Sequence, residues 1–180
     1  MRSARRPILL ARTGVDSDPA RNARIPEVDG ERLGGVKDAE RLRERFGLAP
    51  HPEGGWYRNA YTSPVPVHLD DDRGTRPAAT LIHYLLDAGE ESAWHVVASD
   101  EVWLWQLGGP LELRLGGSGA APDGTTAVAL GPEPGEQQLQ SLVPAGTWQT
   151  ARPLADEPVL LGVLVSPGFD FADFRTRNGG

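Results

Sequence analysis

One segment of this chain concentrates groups able to do acid–base chemistry: Gly89-Glu-Glu-Ser-Ala-Trp-His95-Val-Val-Ala-Ser-Asp-Glu101-Val-Trp-Leu-Trp-Gln-Leu-Gly108. An imidazole titrates near neutral pH, and a neighbouring carboxylate can orient it or tune its basicity. Side chains two apart on a strand share a face, so His95 projects with Val97, and Glu101 with Trp103 and Trp105. A turn over Ala98 to Asp100 is expected to fold the two strands into a hairpin, bringing imidazole, carboxylate and two indoles together. A base, an acid and aromatic walls suit a small-molecule site. On residue types alone, the same groups also read as a hydrogen-bonded polar pair beside core indoles.

The elements that must position these groups are short. The 180 residues are enough for one domain with a real core, and 22 glycines and 16 prolines favour brief elements joined by tight turns. Strands are expected at Trp56 to Tyr61, Thr80 to Leu86, Ala93 to Val97, Glu101 to Leu107 and Leu111 to Leu115. Four more follow at Thr126 to Leu130, Gln138 to Val143, Thr147 to Ala151 and Val159 to Val165. Such spacing marks an all-β sandwich or barrel. One short amphipathic helix precedes them, with Asp38 as its cap, Leu42 and Phe46 on one face and Gly47 as its end. Ser63 to Pro77, with consecutive Asp70, Asp71 and Asp72, reads as a surface loop, as does Gly116 to Gly124. Residues 1–33 lack any sustained period and read as a flexible tail, leaving 34–180 as the folded domain.

Composition excludes several function classes. The formal charge is −7 and no basic stripe follows the first residues, so a nucleic-acid partner is not expected. There is no cysteine, which removes disulfides, thiolate metal sites and cysteine nucleophiles together. The apolar run from Pro7 to Ala11 is too short for a secretory signal, and no stretch reaches the length of a membrane span. No membrane partner is expected, and the expected address is cytoplasmic.

The spacing of Gly89, His95, Glu101 and Gly108 resembles the first cupin motif, with Val97 where that motif has its second histidine. Val143-Pro-Ala-Gly-Thr-Trp-Gln149 resembles the second motif, with Gln149 in place of its histidine. Further blocks resemble the cupin_5 family, a domain of unknown function: His51-Pro-Glu-Gly-Gly-Trp-Tyr-Arg58, Leu81-Ile-His-Tyr-Leu-Leu86, Ser99-Asp-Glu-Val-Trp103 and Ser166-Pro-Gly-Phe-Asp-Phe-Ala-Asp-Phe174. They run in order from about residue 40 to the end. The resemblance implies a double-stranded β-helix, or jelly-roll cupin barrel, with one short N-terminal helix and a pocket in the barrel mouth. It also implies a homodimer and a likeness to sugar-nucleotide epimerases, and it supplies no reaction.

Cupin metals sit on three histidines and a glutamate. At most His95, Glu101 and Gln149 remain here, and a neutral amide oxygen is a poor ligand for iron, manganese, nickel or zinc. No cofactor, or only a weakly held divalent metal, is therefore expected; the alternative is a tight metal helped by His83 or His51. Without one, His95 would act as general acid or base, Glu101 would tune it, and Gln149 would bond a carbonyl or hydroxyl of the ligand.

His83 and Tyr84 are adjacent on a strand and must face opposite ways, so one of them is expected in the pocket. The resemblance adds Glu53, Tyr57 and Arg58 as rim groups, and Phe169 as a ligand contact. Trp94 and Trp148 alternate with His95 and Gln149 and are expected to face away into the core. The resulting expectation is an isomerase or epimerase-like enzyme acting on a small oxygenated metabolite, sugar-like or keto. A non-catalytic small-molecule binder and a metal-dependent oxygenase are the alternatives.

Overall fold

Leu42 and Phe46 do share the face that the sequence assigns them. The computed structural model describes residues 36–177, and the tail expected over 1–33 lies outside them. Helix α1 (Val36–Phe46) begins earlier than expected, which places Asp38 in its first turn instead of at the cap. Arg43 and Arg45 occupy its last turn, so charges at both ends complement the helix dipole. Leu42 is buried with Leu85 and Leu160, and Phe46, Leu48, Trp56 and Leu107 close around them. This second, smaller core fastens the helix to the outer face of a sheet.

The strands in the first half are β1 (Ala49–Pro50), β2 (Trp56–Thr62), β3 (Pro66–His68), β4 (Thr75–Pro77), β5 (Thr80–Leu86) and β6 (His95–Val97). The second half contributes β7 (Asp100–Gly108), β8 (Leu111–Leu115), β9 (Thr126–Leu130), β10 (Gln140–Val143), β11 (Gln149–Pro153), β12 (Val159–Ser166) and β13 (Phe174–Thr176). One sheet has the order β1-β2-β5-β12-β7-β10 and the other β13-β6-β11-β8-β9. Every pairing in them is antiparallel, with β12 seated between β5 and β7. The apolar sequence of β12 follows from that central place, where both faces are covered and six of its eight residues are buried. Tyr84, Trp103, Leu113, Val143 and Leu161 meet between the sheets in the main core. This is a jelly-roll cupin barrel, all-β among the described residues apart from α1 and a 3-10 turn over Phe171–Asp173.

Three local details differ from expectation. His95 and Glu101 do not lie on a hairpin: β6 pairs with β11 and β13, whereas β7 pairs with β12 and β10. The turn between them carries the chain from one sheet to the other, so imidazole and carboxylate project from different sheets. Ser63 to Pro77 is not all loop, because Pro66–His68 and Thr75–Pro77 pair as a two-stranded ribbon with the aspartates at its tip. Three-residue strands are too short to show a period. Phe174 opens a strand, β13, that pairs with β6 beside His95.

Two features of β7 set its side-chain directions. The register against β12 shifts between Leu160 and Leu161, so that Trp105 faces Leu161 and Leu107 faces Leu160. Gln106 is the extra residue of this bulge, which re-aims the strand. Trp105 consequently packs on the inter-sheet core while Leu107 packs under α1. At the strand's end, Gly108 has φ +95°, and a Cβ there would lie 2.0 Å from the Pro158 carbonyl oxygen. The glycine that closes the first cupin motif is thus required by backbone contact.

Candidate functional site

A cavity of about 390 Å³ opens at the barrel mouth, walled by β2, β5, β12 and β7 of one sheet, by β6 of the other and by the Phe169–Phe174 segment. Its size falls toward the low end of the roughly 300–1,000 Å³ typical of small-molecule sites. Glu53, Tyr57, Tyr84, His95, Glu101, Trp103 and Phe169 all line it, as does Val97.

The remaining expected residues lie elsewhere, each for a visible reason. His83 points to the helix side, with its ring 5.2 Å from that of Phe46 and its Nδ1 3.3 Å from Gln106 Oε1. Tyr84 is the one of the adjacent pair that faces the cavity. Arg58 sits on the His83 side of β2 and donates from Nη1 to the Phe46 carbonyl, closing the end of α1. Trp105 donates its indole N–H to the Gly109 carbonyl, away from the mouth. Gln149 is buried behind the cavity wall and bonds protein groups on both of its amide atoms. Trp148 is buried and bonds the Gly119 carbonyl, whereas Trp94 is half-buried under Arg114.

The first wall is built by the turn between β1 and β2. Gly55 takes φ +68°, and a Cβ there would approach the Leu85 carbonyl oxygen to 2.6 Å. Only glycine lets the chain pass so close to β5. That turn brings His51 and Glu53 into the mouth, and the Tyr84 hydroxyl donates to the Gly54 carbonyl at 2.8 Å to hold it. The sequence offered His51 only as help to a metal, although it opens one of the blocks that pointed here. Asn59 and Thr80, Ile82, Val163 and Val165 also line the cavity; their alternation along β12 and β5 is the signal that could have found them.

Hydrogen bonding fixes which nitrogen of each imidazole carries the proton. His95 Nδ1 lies 2.8 Å from the Ala93 carbonyl, which can only accept, so Nδ1 is the protonated nitrogen. Its Nε2 is then a bare lone pair. His51 is the reverse: its Nδ1 accepts from the Glu53 backbone N–H at 3.3 Å, which leaves the proton on Nε2. Glu53 joins the two rings, with Oε2 3.2 Å from His95 Nδ1 and Oε1 3.8 Å from His51 Nδ1.

Burial works against charge on all four groups. It pushes Glu53 up to about 8, against the pull of the Tyr84 hydroxyl. It pulls His51 down to about 4, with the His95 charge adding to the effect. His95 is lowered by burial, opposed by the Glu101 carboxylate. Glu101 is raised by burial and by Glu53, while the His95 charge works the other way. Behind the wall, Gln149 Nε2 donates to Glu101 Oε2 at 2.8 Å, and the Trp103 indole N–H is shared between Gln149 Oε1 at 2.9 Å and Glu101 Oε2 at 3.3 Å. Buried titratable groups shifted in opposite directions are a feature of catalytic sites.

Residues 40–177 match the profile of Cupin_5, described as Cupin superfamily (DUF985). The chain belongs to this family. A protein from Shewanella oneidensis is 31% identical and superimposes with a TM-score of 0.67 over 77% of this chain and 83% of its own. A hypothetical protein from Leishmania major, also 31% identical, gives 0.68 over 76% of this cupin and 85% of that chain. The capsular polysaccharide assembling protein CapF of Staphylococcus aureus shares the fold, at 12% identity and a TM-score of 0.52 over 72% of this cupin and 33% of its own length. No curated protein matches the chain.

The metal of the cupin superfamily does not fit the residues present. Val97, at the second histidine position, offers no lone pair, and the Gln149 amide oxygen already accepts the Trp103 N–H. Among the described residues, no group of three or more His, Asp or Glu is arranged to hold a metal ion. No described helix is long and apolar enough to cross a membrane.

Proposed function

We propose that this cupin is an isomerase or epimerase-like enzyme that moves a proton at the carbon next to a carbonyl in a small oxygenated metabolite, sugar-like or keto. The observation that carries the reading is the His95 ring, whose Nδ1–H is tied to Ala93 and whose Nε2 is left as a base at the cavity wall. Nε2 takes the proton, the electrons of the C–H bond form the enolate double bond, and the carbonyl oxygen gains the charge. Neutral Glu53 gives its proton to that oxygen, which leaves a carboxylate 3.2 Å from the new imidazolium. The neutral pair of the resting site becomes an ion pair at the enol stage, and reversal on either face of the enol completes an isomerisation. His51, with its proton on Nε2, is the second donor available to the oxygen.

Deuterium uptake tests this. In D2O, the protein is expected to accelerate wash-in at the carbon next to the carbonyl of one or more ketones, followed by proton NMR. His95→Ala should lose about a hundredfold or more of that rate. Equal wash-in by the variant refutes the proposal. A non-catalytic binder is the second reading, favoured by the mutual hydrogen bonds that engage Glu101 Oε2, Gln149 and Trp103, and binding without exchange would establish it. We further propose that the reaction needs no metal and that the chain works as a cytoplasmic homodimer. Stoichiometric iron, manganese or zinc in protein purified without added ions would refute the first, and a monomeric mass in sedimentation equilibrium the second.

A further inference from the structure

The charges around the cavity are one-sided. Among the described residues its titratable lining consists of His51, His95, Tyr57 and Tyr84 together with three acids, Glu53, Glu101 and Asp170, and it includes neither lysine nor arginine. The guanidinium groups near this end of the fold are engaged elsewhere. Arg76 forks onto Asp173 through Nε at 2.9 Å and Nη2 at 3.0 Å. Arg73 is held by Asp71, the Ala98 carbonyl and the Ser99 hydroxyl. Arg58 caps α1 on the other side of β2.

An anion entering such a site gives up its hydration and meets no countercharge. Both histidines are neutral, and the exposed Asp170 carboxylate, whose Oδ1 accepts from the Ala172 N–H, adds repulsion at the rim. An uncharged molecule meets none of these costs. Phe169, Phe171 and Phe174 form an edge-to-face cluster above the mouth, and Trp103 and Tyr84 make a second such contact below it. These rings offer apolar surface to a ring or alkyl body.

Resting on the proton-transfer reading of the same site, we infer that the cavity takes uncharged carbonyl compounds with an apolar or aromatic body and rejects their carboxylated and phosphorylated counterparts. The selectivity resides in the lack of a cation among the described lining residues. It separates this pocket from one built for a sugar nucleotide, whose diphosphate requires cationic partners.

Binding is read from the Trp103 indole N–H resonance in the nitrogen-15-labelled full chain, because that ring lines the cavity. The probes are phenylacetone and hydroxyacetone against their anionic counterparts phenylpyruvate and hydroxyacetone phosphate. The uncharged member of each pair is expected to shift the resonance at a concentration at least tenfold lower. Asn59→Arg places a cation at the exposed rim, where Asn59 bonds only the Thr62 hydroxyl among the described contacts, and it should narrow that ratio at least fivefold. The other tryptophan resonances report that the variant is folded. Equal or tighter binding of the anions, or no response to either uncharged ketone, overturns the inference. Uncharged ketones that bind without deuterium uptake leave it standing and refute the catalytic proposal. Exchange confined to phenylpyruvate or hydroxyacetone phosphate refutes the inference and leaves the catalytic proposal standing.

Discussion

Replacing Glu53 by Gln should change how the stability of the domain depends on pH. Glu53 titrates near 8 in the fold against an ordinary value of 4.5, because burial disfavours its charged form. A carboxyl raised in this way binds its proton more tightly in the fold than in the unfolded chain. Its stabilising contribution is complete below 4.5 and is lost as pH rises through 8. At about 1.36 kcal/mol per unit, the loss is about 5 kcal/mol. His51 acts in the opposite sense, since its lowered value of about 4 against 6.5 removes stability as pH falls below 6.5. The two slopes cancel between 4.5 and 6.5, and the Glu53 slope alone remains from 6.5 to 8, worth about 2 kcal/mol. Lowered His95 and raised Glu101 add slopes of the same two signs. Subtracting the Glu53→Gln curve from the wild-type curve therefore isolates Glu53. Urea unfolding of both proteins from pH 5 to 8.5 should give a difference that falls steadily as pH rises. A difference that is flat, or that rises, refutes the assignment of a neutral buried Glu53.

Gly108→Ala should lower stability by at least about 1–3 kcal/mol from its left-handed backbone alone, before the contact with Pro158 is counted; urea midpoints and soluble yield would show it. Gln149→Leu removes the donor to Glu101 and the acceptor of the Trp103 indole, and should cost about 1–3 kcal/mol in urea unfolding while shifting the Trp103 N–H resonance. Arg76→Ala frees Asp173 from the strap that holds the aromatic cap, so limited proteolysis and hydrogen exchange should both accelerate over 167–177 with the barrel strands unchanged. An unaltered cleavage pattern would show that the cap is held by its phenylalanines instead.

Much of the fold is legible along the chain. Gly89, His95, Glu101 and Gly108 stand at a spacing that identifies a cupin, and the strands 80–86, 111–115 and 126–130 form where their residue types place them. β-branched and aromatic runs between glycine and proline turns carry that information locally. The paired ribbon 66–68 and 75–77 escaped because such short strands are stabilised by each other and not by composition. Trp105 escaped for a related reason: alternation assigned it to the face of Trp103, and it does reach the core, but the wall of the cavity ends before it.

The sequence by itself determined the class of site, an imidazole and carboxylate in an aromatic barrel mouth, and the loss of two imidazoles at Val97 and Gln149. Only the tertiary structure decided how those groups are used. That His95 and Glu101 stand on different sheets, that Glu53 arrives from a distant turn to sit 3.2 Å from His95 Nδ1, and that Gln149 bonds Glu101 from behind the wall are long-range facts. They depend on which strands pair, and pairing is a property of the whole sandwich. Burial then does what no local motif can: it disfavours charge on both acids and both histidines, raising the carboxyls and lowering the imidazoles.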